Sequence, residues 1–231
     1  MKFENTKIYG FENSIIGMRL PMCKDCNDVR SKSDSFDERL IYKDIIGDND
    51  LDLMKRLIHA DKNASGQPNS KFLRMIHVQV AITAPLYWWK EADTYKISTV
   101  TNSTSTMHRI ANYPITKDCF EMEDYEEIDE KTFIDNHLKS SPSTKQIWES
   151  LINILEHLRL LYVLTKDKRY WKELIRLLPE SWLQTRMFDC NYSTLRNIYN
   201  QRKNHKLTEW HTFCDWVRYL PYAQELLTDG E

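Results

Sequence analysis

Apolar and polar residues alternate between residues 76 and 82, where the apolar side chains are Ile76, Val78, Val80 and Ile82. Successive side chains of a β-strand point to opposite faces, so this period of two predicts a strand with one buried face. Pro85 follows the strand and suits the first turn of a helix, where a missing backbone N–H does no harm. We therefore predict a short helix from Pro85 to about Tyr95.

Elsewhere the helical spacing of apolar residues dominates. Residues 49–60, for example, place four apolar side chains on one face, at Leu51, Met54, Leu57 and Ile58. Residues 28–38 and 61–70 are rich in polar or turn-forming residues and are predicted as loops, whereas residues 1–47 as a whole show no clear period. Helices are predicted at residues 49–60, from a cap at Ser143 or Thr144 to about Leu164, and at about 168–178, 193–203 and 207–220.

The order of these elements is mixed, then a strand, then mostly helix. The chain has 231 residues, and domains below about 100 residues bury proportionally less surface. One α+β domain spanning residues 1–231 therefore fits better than two.

The charge balance excludes some partners. Lys and Arg number 32 against 34 Asp and Glu, so a net charge of −2 exerts no general attraction on a nucleic acid polymer or a membrane. An anionic ligand must then be held by local cations. No apolar run approaches the length of about 20 residues needed to span a bilayer. The opening MKFENTKIYG lacks the apolar core of a signal peptide, so a cytoplasmic protein is expected.

The five cysteines do not point to a disulfide framework, since their number is odd and no signal peptide is evident. Cys23 and Cys26 have metal-ligand spacing, but a closed zinc site needs four ligands and the sequence offers no second pair. A reduced pair is favoured, and no metal site is predicted. Cys190 and Cys214 are interpreted as small buried side chains in preference to nucleophiles. With five glycines and no GxxxxGK motif, a phosphate-binding glycine loop is also excluded.

Residues 84–109 combine an aromatic opening, Tyr87-Trp88-Trp89, with a charged and hydroxyl-rich continuation. This mixture is poor as core and unusual as plain surface. We interpret the aromatic opening as the wall of a cleft.

A second group of polar residues lies near the C-terminus, between residues 176 and 205. Arg202 offers a planar fork of donors that suits a phosphate or a pyrimidine carbonyl edge. Asn197 offers a donor and an acceptor together, which suits a flavin or a base edge. The two side chains can line neighbouring walls of one cleft at the C-terminal half of the helix predicted at 193–203. Three more arginines are expected to add positive charge nearby: Arg176, Arg186 and Arg196.

The spacing of these residues resembles that of the flavin-dependent thymidylate synthases. The matching positions are Arg176-Leu-Leu-Pro179, Thr185-Arg186, Asn191, Leu195, Asn197 and Arg202, with Ser193 in place of an arginine. Upstream, the strand ends in Ala84-Pro85 as in that family. The family's R-H-R signature then falls on Thr94-Tyr95-Lys96, its S-x-R-Y element resembles residues 105–110, and a histidine used near the flavin falls near Ser65 or Gly66.

The resemblance implies a small, mostly antiparallel sheet packed against a helical C-terminal half. It also implies a homotetramer that binds FAD between subunits, with methylenetetrahydrofolate as carbon donor, NADPH as reductant and dUMP as acceptor. Arg202 would be the catalytic residue that grips the pyrimidine. The other nucleotide-binding residues would be Lys96, Ser105, Arg109 and Arg176, and those contacting the flavin would be Asn191, Asn197 and His205.

Thr94 and Lys96 stand where the family has two arginines, which removes bidentate donors from the site. Three hypotheses therefore remain open. The chain is a divergent FAD-dependent methyltransferase-like enzyme acting at C5 of a pyrimidine nucleotide, or a non-catalytic relative that binds a nucleotide or a partner. The third is an unrelated α+β protein whose C-terminal helix matches by chance. Flavin binding separates the first from the others.

Overall fold

The computed structural model of the protein describes residues 1–36, 46–62, 68–123 and 142–230. Its four-stranded sheet has the order β1-β2-β4-β3. The strand expected from the alternating pattern is β2, which buries Val78, Val80 and Ile82 and leaves His77 and Gln79 exposed. The strands are β1 (Lys2–Tyr9), β2 (His77–Pro85), β3 (Val100–Ser103) and β4 (Leu183–Asn191).

Side-chain pairs fix the direction of the two central strands. The hydroxyls of Thr83 and Thr185 lie 2.7 Å apart, and Gln79 Nε2 donates to the Asp189 carboxylate at 2.7 Å. Moving four residues back along β2 therefore moves four residues forward along β4, so the two strands are antiparallel. The predicted α+β class, with a small antiparallel sheet and a mostly helical C-terminal half, is confirmed.

Five of the six helices predicted after residue 48 agree closely with the structure. The cap of the longest one is Ser143, whose hydroxyl accepts from the Gln146 N–H while the Gln146 side chain accepts from the Ser143 N–H. The helices are α1 (Phe11–Arg19), α2 (Cys26–Lys32), α3 (Asp48–Ala60), α4 (Leu86–Ala92), α5 (Thr106–Arg109), α6 (Thr144–Thr165), α7 (Lys168–Leu177), α8 (Tyr192–Arg202), α9 (Thr208–Arg218) and α10 (Ala223–Leu226).

Two predicted boundaries were wrong. Residues 28–32 belong to α2 and not to a loop, because the Asp25 carboxylate caps that helix by accepting from the Asp28 N–H at 2.9 Å. The helix expected to reach Tyr95 ends at Ala92, and Tyr95 lies in the following loop. Of the predicted loop at 61–70, residues 61–62 and 68–70 contain no helix or strand; residues 63–67 and 37–38 lie outside the described residues.

The chain divides into two compact units. The first unit comprises Met1–Ile82, Thr94–Asn102 and Met187–Glu231, and the second comprises Thr83–Asp93 and Ser103–Arg186. The core of the first unit includes Leu195, Tyr199 and Trp210. In the second unit, Ile110, Ile115, Phe120, Leu155 and Leu174 form one buried cluster. That residues 1–231 form one domain stays a prediction.

A buried carboxylate holds part of the first unit together. Asp50, at the start of α3, accepts hydrogen bonds from the hydroxyls of Ser33 and Ser35 and from Arg19. Burial alone would raise the pKa of this carboxyl, but the three hydrogen bonds outweigh burial and hold the pKa below its usual value.

We expected the aromatic opening of residues 84–109 to form the wall of a cleft, but its two tryptophans lie in the core. Trp88 and Trp89 are both fully buried. The Trp89 indole donates to the Gln184 carbonyl at 3.0 Å, and the Arg186 guanidinium lies 4.4 Å from the centre of the Trp89 ring. These aromatic side chains therefore act as core of the second unit.

Candidate functional site

A cleft of about 440 Å³ lies along α8 in the first unit. We call it the α8 cleft. It is lined by residues 94–97 and by five α8 side chains: Ser193, Thr194, Asn197, Gln201 and Arg202. Helix α8 can present these side chains because its opposite face is buried through Leu195, Ile198 and Tyr199.

Hydrogen bonds tie the loop at residues 94–97 to α8. The Thr194 hydroxyl donates to the Ile97 carbonyl at 3.2 Å. Arg202 Nε donates to the Tyr95 hydroxyl at 2.7 Å, and that hydroxyl donates to Gln201 Oε1 at 3.0 Å. The loop is therefore held at both ends of the cleft by side chains of one helix.

The α8 cleft is electropositive although the chain as a whole is slightly acidic. Its lining contains the cations Lys96 and Arg202 and no carboxylate. Among the residues that the structure describes, exposed Lys96 makes no hydrogen bond or ion pair. The Arg202 guanidinium lies 4.7 Å from the centre of the Trp210 ring and 5.4 Å from that of Tyr95. A lining that contains two cations and no carboxylate favours an anionic ligand.

The size of the α8 cleft fits one ligand. Pockets that bind a drug-sized molecule have volumes of roughly 300–1,000 Å³, and the α8 cleft lies in the lower half of that range. Its side chains provide charged donors, the Ser193 hydroxyl and the Asn197 amide. This combination can hold a phosphate and the edge of a heterocyclic base.

Ser105 and Arg109 lie in the second unit. They line a separate cleft of about 340 Å³, the α5 cleft, which also includes Tyr113, Cys119 and Trp182. The Ser105 hydroxyl caps α5 and lies 2.7 Å from His108 Nδ1. Arg109 donates to the Tyr113 hydroxyl at 2.7 Å. Both predicted nucleotide-binding residues thus line a cleft, while Lys96 and Arg202 share the α8 cleft.

Each of the three arginines expected to add positive charge near the site forms an ion pair with a carboxylate. Arg176 pairs with Glu173 at 2.9 Å, Arg186 with Asp93 at 2.9 Å, and Arg196 with Asp229 at 2.6 Å. Each guanidinium is therefore balanced by a carboxylate in its own unit. Arg176, predicted to bind the nucleotide, lines neither the α8 cleft nor the α5 cleft.

Of the three residues predicted to contact a flavin, the α8 cleft includes only Asn197 in its lining. Asn191 is buried and caps α8, since its side-chain oxygen accepts from the Thr194 N–H at 2.9 Å. His205 Nδ1 accepts from the Leu207 N–H at 3.2 Å, and its ring centre lies 6.2 Å from that of Trp210. Ser65 and Gly66 lie outside the described residues.

Sequence reasoning overlooked Gln201. Its amide nitrogen donates to Asn197 Oδ1 at 3.0 Å, one helical turn away, and its oxygen accepts from Tyr95. The spacing of four residues between Asn197 and Gln201 was a usable signal, because side chains so spaced are neighbours on a helix. The contact with Tyr95 had no such signal.

The buried thiols are not poised as nucleophiles. Burial raises the pKa of the Cys190 thiol well above its ordinary value, and burial raises that of Cys214 to about 11. All five cysteines are free thiols. Within the described ranges, no three His, Cys, Asp or Glu side chains cluster as metal ligands, and no helix combines the length and apolarity needed to cross a bilayer.

Comparison with known proteins identifies relatives by fold alone. No protein-family model and no curated protein matches the chain. The chain superposes on the flavin-dependent thymidylate synthase of Helicobacter pylori in complex with FAD and dUMP, with a TM-score of 0.62, 15% identity and 99% coverage of both chains. A second structure of that enzyme with FAD and dUMP gives a TM-score of 0.62, 16% identity and coverage of 100% and 98%.

A further similar structure is the UMP/dUMP methylase PolB of Streptomyces cacaoi bound with 5-Br dUMP. It has a TM-score of 0.56 and 14% identity, and the match covers 99% of this chain and 95% of PolB. At such identities the likeness establishes the fold and not the activity. The chain has the fold of the flavin-dependent thymidylate synthases.

Proposed function

We propose that the chain binds a pyrimidine nucleotide in the α8 cleft and is a divergent FAD-dependent enzyme acting at C5 of a dUMP-like nucleotide. The observation that carries this proposal is that Lys96 and Arg202 line the same cleft and that its lining residues include no carboxylate. The similar structures support it, because they are described as complexes with dUMP or 5-Br dUMP. The one-carbon unit would come from a folate donor.

Arg202 is suited to stabilise negative charge on a pyrimidine ring. Its position is fixed by the bond to Tyr95 and by the faces of Tyr95 and Trp210. A donor that is already oriented needs no reorganisation when charge develops, and this is the main source of electrostatic catalysis. The charge that builds on the ring carbonyls as C5 becomes nucleophilic would thus meet a fixed guanidinium. Lys96, a compact and mobile ammonium, suits the nucleotide phosphate.

Asn197, which the resemblance assigns to the flavin, lies in the same lining as Lys96 and Arg202, and its amide suits the edge of a pyrimidine as well as that of a flavin. Bound flavin would supply the hydride and the chemistry of one-carbon transfer, with NADPH as the source of electrons. A cleft of about 440 Å³ accommodates one ligand and not a nucleotide together with a whole dinucleotide. The proposal therefore includes a homo-oligomer, a tetramer by resemblance, in which a second copy completes the flavin site.

The experiment that tests the proposed chemistry is release of tritium from C5-labelled dUMP by the purified protein with FAD, NADPH and methylenetetrahydrofolate. Release that requires FAD and is lost in Arg202→Ala is expected. Arg56→Ala is the matched control, because Arg56 is an exposed arginine of α3 paired with Asp52. Undiminished release by Arg202→Ala would contradict the role of the α8 cleft.

A non-catalytic nucleotide-binding or interaction protein is the second candidate. Arg202 Nε is already bonded to Tyr95, and Thr94 and Lys96 replace two arginines of the family signature. The site thus has fewer charged donors for a transition state than the signature provides. Binding of dUMP without turnover, under conditions in which FAD is bound, would favour this candidate over the enzyme.

A further inference from the structure

Four side chains of the α8 cleft form a continuous hydrogen-bonded relay. Arg202 Nε donates to the Tyr95 hydroxyl at 2.7 Å, the Tyr95 hydroxyl donates to Gln201 Oε1 at 3.0 Å, and Gln201 Nε2 donates to Asn197 Oδ1 at 3.0 Å. All four side chains line the cleft.

The direction of this relay follows from chemistry. A guanidinium has donors and no acceptor, so the Tyr95 oxygen must accept from Arg202. Tyr95 then has one hydroxyl proton, which it donates to Gln201. The Gln201 amide must therefore turn its oxygen toward Tyr95. The Gln201 nitrogen consequently faces Asn197, and Asn197 must present its oxygen to it. One arginine therefore fixes which way both amides point, a choice that each amide could otherwise make either way.

The relay leaves the cleft rich in hydrogen-bond donors. The oxygen of Asn197 is used by Gln201, whereas its amide nitrogen has no partner in the part of the chain that the structure describes. Lys96 is also a donor only. A ligand that contacts Lys96 and the Asn197 nitrogen must therefore supply acceptors to both.

We propose that Tyr95 is a positioning residue that sets the hydrogen-bond polarity of the α8 cleft through Gln201. With the Asn197 amide nitrogen turned toward the ligand, the cleft selects a pyrimidine with a carbonyl at ring position 4 over one with an amino group there. The pyrimidine amino group is a donor and the carbonyl an acceptor, so only the carbonyl complements an N–H. This inference rests on the proposed binding of a pyrimidine nucleotide in the cleft.

The test compares the affinities of dUMP and dCMP by isothermal titration calorimetry, for the wild type and two variants. The wild type is expected to prefer dUMP by about tenfold or more, since an unmatched polar pair costs about one hydrogen bond. Tyr95→Phe breaks the relay and is expected to bring the ratio of the two affinities close to unity. In Gln201→Glu, the carboxylate at position 201 can only accept hydrogen bonds, so the Asn197 nitrogen turns toward it. The Asn197 oxygen then faces the ligand, and the ratio of the dUMP and dCMP affinities is expected to invert in favour of dCMP.

The negative charge added by Gln201→Glu should weaken the binding of both nucleotides equally. Asn200→Asp adds the same charge outside the cleft lining and serves as the control for this effect. Asn200 is exposed on the same helix and lies outside the lining, so this variant should weaken both affinities without changing their ratio. A ratio is insensitive to a general loss of folded protein, which thermal unfolding of each variant checks independently.

The outcomes distinguish a failure of nucleotide binding from a failure of the role proposed for Tyr95. If the wild type binds neither nucleotide, the proposed function is wrong and the inference falls with it. If the wild type binds dUMP and dCMP equally, or if Gln201→Glu keeps the wild-type ratio, the role of Tyr95 is refuted while nucleotide binding stands. Preference for dUMP that is lost in Tyr95→Phe and inverted in Gln201→Glu supports the inference.

Discussion

Replacing Arg202 by alanine is the most informative single change in the α8 cleft. The Arg202 guanidinium donates from Nε to the Tyr95 hydroxyl and lines the cleft in which a nucleotide is proposed to bind. One charge-assisted hydrogen bond contributes about 1.5–3 kcal/mol, and about 1.4 kcal/mol corresponds to a tenfold change in affinity. We therefore expect Arg202→Ala to weaken dUMP binding by about ten- to a hundredfold.

The same change should cost little stability. It removes the stacking of the guanidinium on the Trp210 ring, at 4.7 Å, and such contacts contribute about 0.5–2 kcal/mol. Arg202→Lys keeps the charge but loses the planar fork, so its affinity should lie between those of the wild type and the alanine variant.

Calorimetric titration of dUMP into each variant, with urea unfolding in parallel, measures both quantities. Arg56→Ala, which removes an exposed arginine of α3, serves as the control for net charge. If Arg202→Ala bound dUMP as tightly as the wild type, or if Arg56→Ala weakened binding equally, the α8 cleft would not be the nucleotide site.

Three further predictions concern the fold. Leu155→Ala should lower the free energy of unfolding by about 2–5 kcal/mol in urea titrations, because Leu155 is fully buried, whereas exposed Leu164→Ala should change it by less than about 0.5 kcal/mol. The pKa of Asp50 is lowered in the folded protein, so its ionised carboxylate stabilises the fold at pH values above the unfolded pKa of about 3.9. That contribution is lost as the pH falls through the folded pKa, so Asp50→Asn should show a shallower loss of unfolding midpoint on acidification than the wild type. Cys190 and Cys214 should resist iodoacetamide at neutral pH until the protein is unfolded, because both are buried and have raised pKa values; mass spectrometry would show rapid native alkylation of either one if this is wrong.

Local periodicity was enough to predict several elements of the fold. The alternation around Val80 gave β2, and helical patterns gave α3, α6, α7, α8 and α9 with ends close to those observed. The motif spacing around Asn197 and Arg202 indicated the fold family, since several polar positions agreed at once. These signals are local in sequence, so one chain suffices to read them.

Long-range pairing could not be predicted. Strand β4 lies between β2 and β3 in the sheet although it follows both in sequence, and its residues 183–191 show no regular alternation. The Arg202–Tyr95 bond joins residues 107 positions apart. Arg186 was expected to add charge to a site, but its partner Asp93 is 93 positions away. Such choices of partner depend on the folded chain and leave no local pattern.

Residues Thr94-Tyr95-Lys96, which the resemblance aligns with the R-H-R signature of the family, line the α8 cleft. They keep one cation at the α8 cleft in Lys96, and they place a hydroxyl where that group orients Arg202 and Gln201. Compared with the R-H-R signature, these residues provide less positive charge and a hydroxyl that forms directed hydrogen bonds. This difference favours a ligand recognised by the polarity of its ring edge as well as by its phosphate.

We propose that this chain binds FAD, and the visible absorption spectrum of the purified protein provides the decisive test. The protein is incubated with FAD and passed through a desalting column, and its spectrum is recorded before and after. We expect the flavin absorption band to elute together with the protein. A correctly folded protein that emerges colourless, at FAD concentrations well above those of the protein, would contradict it.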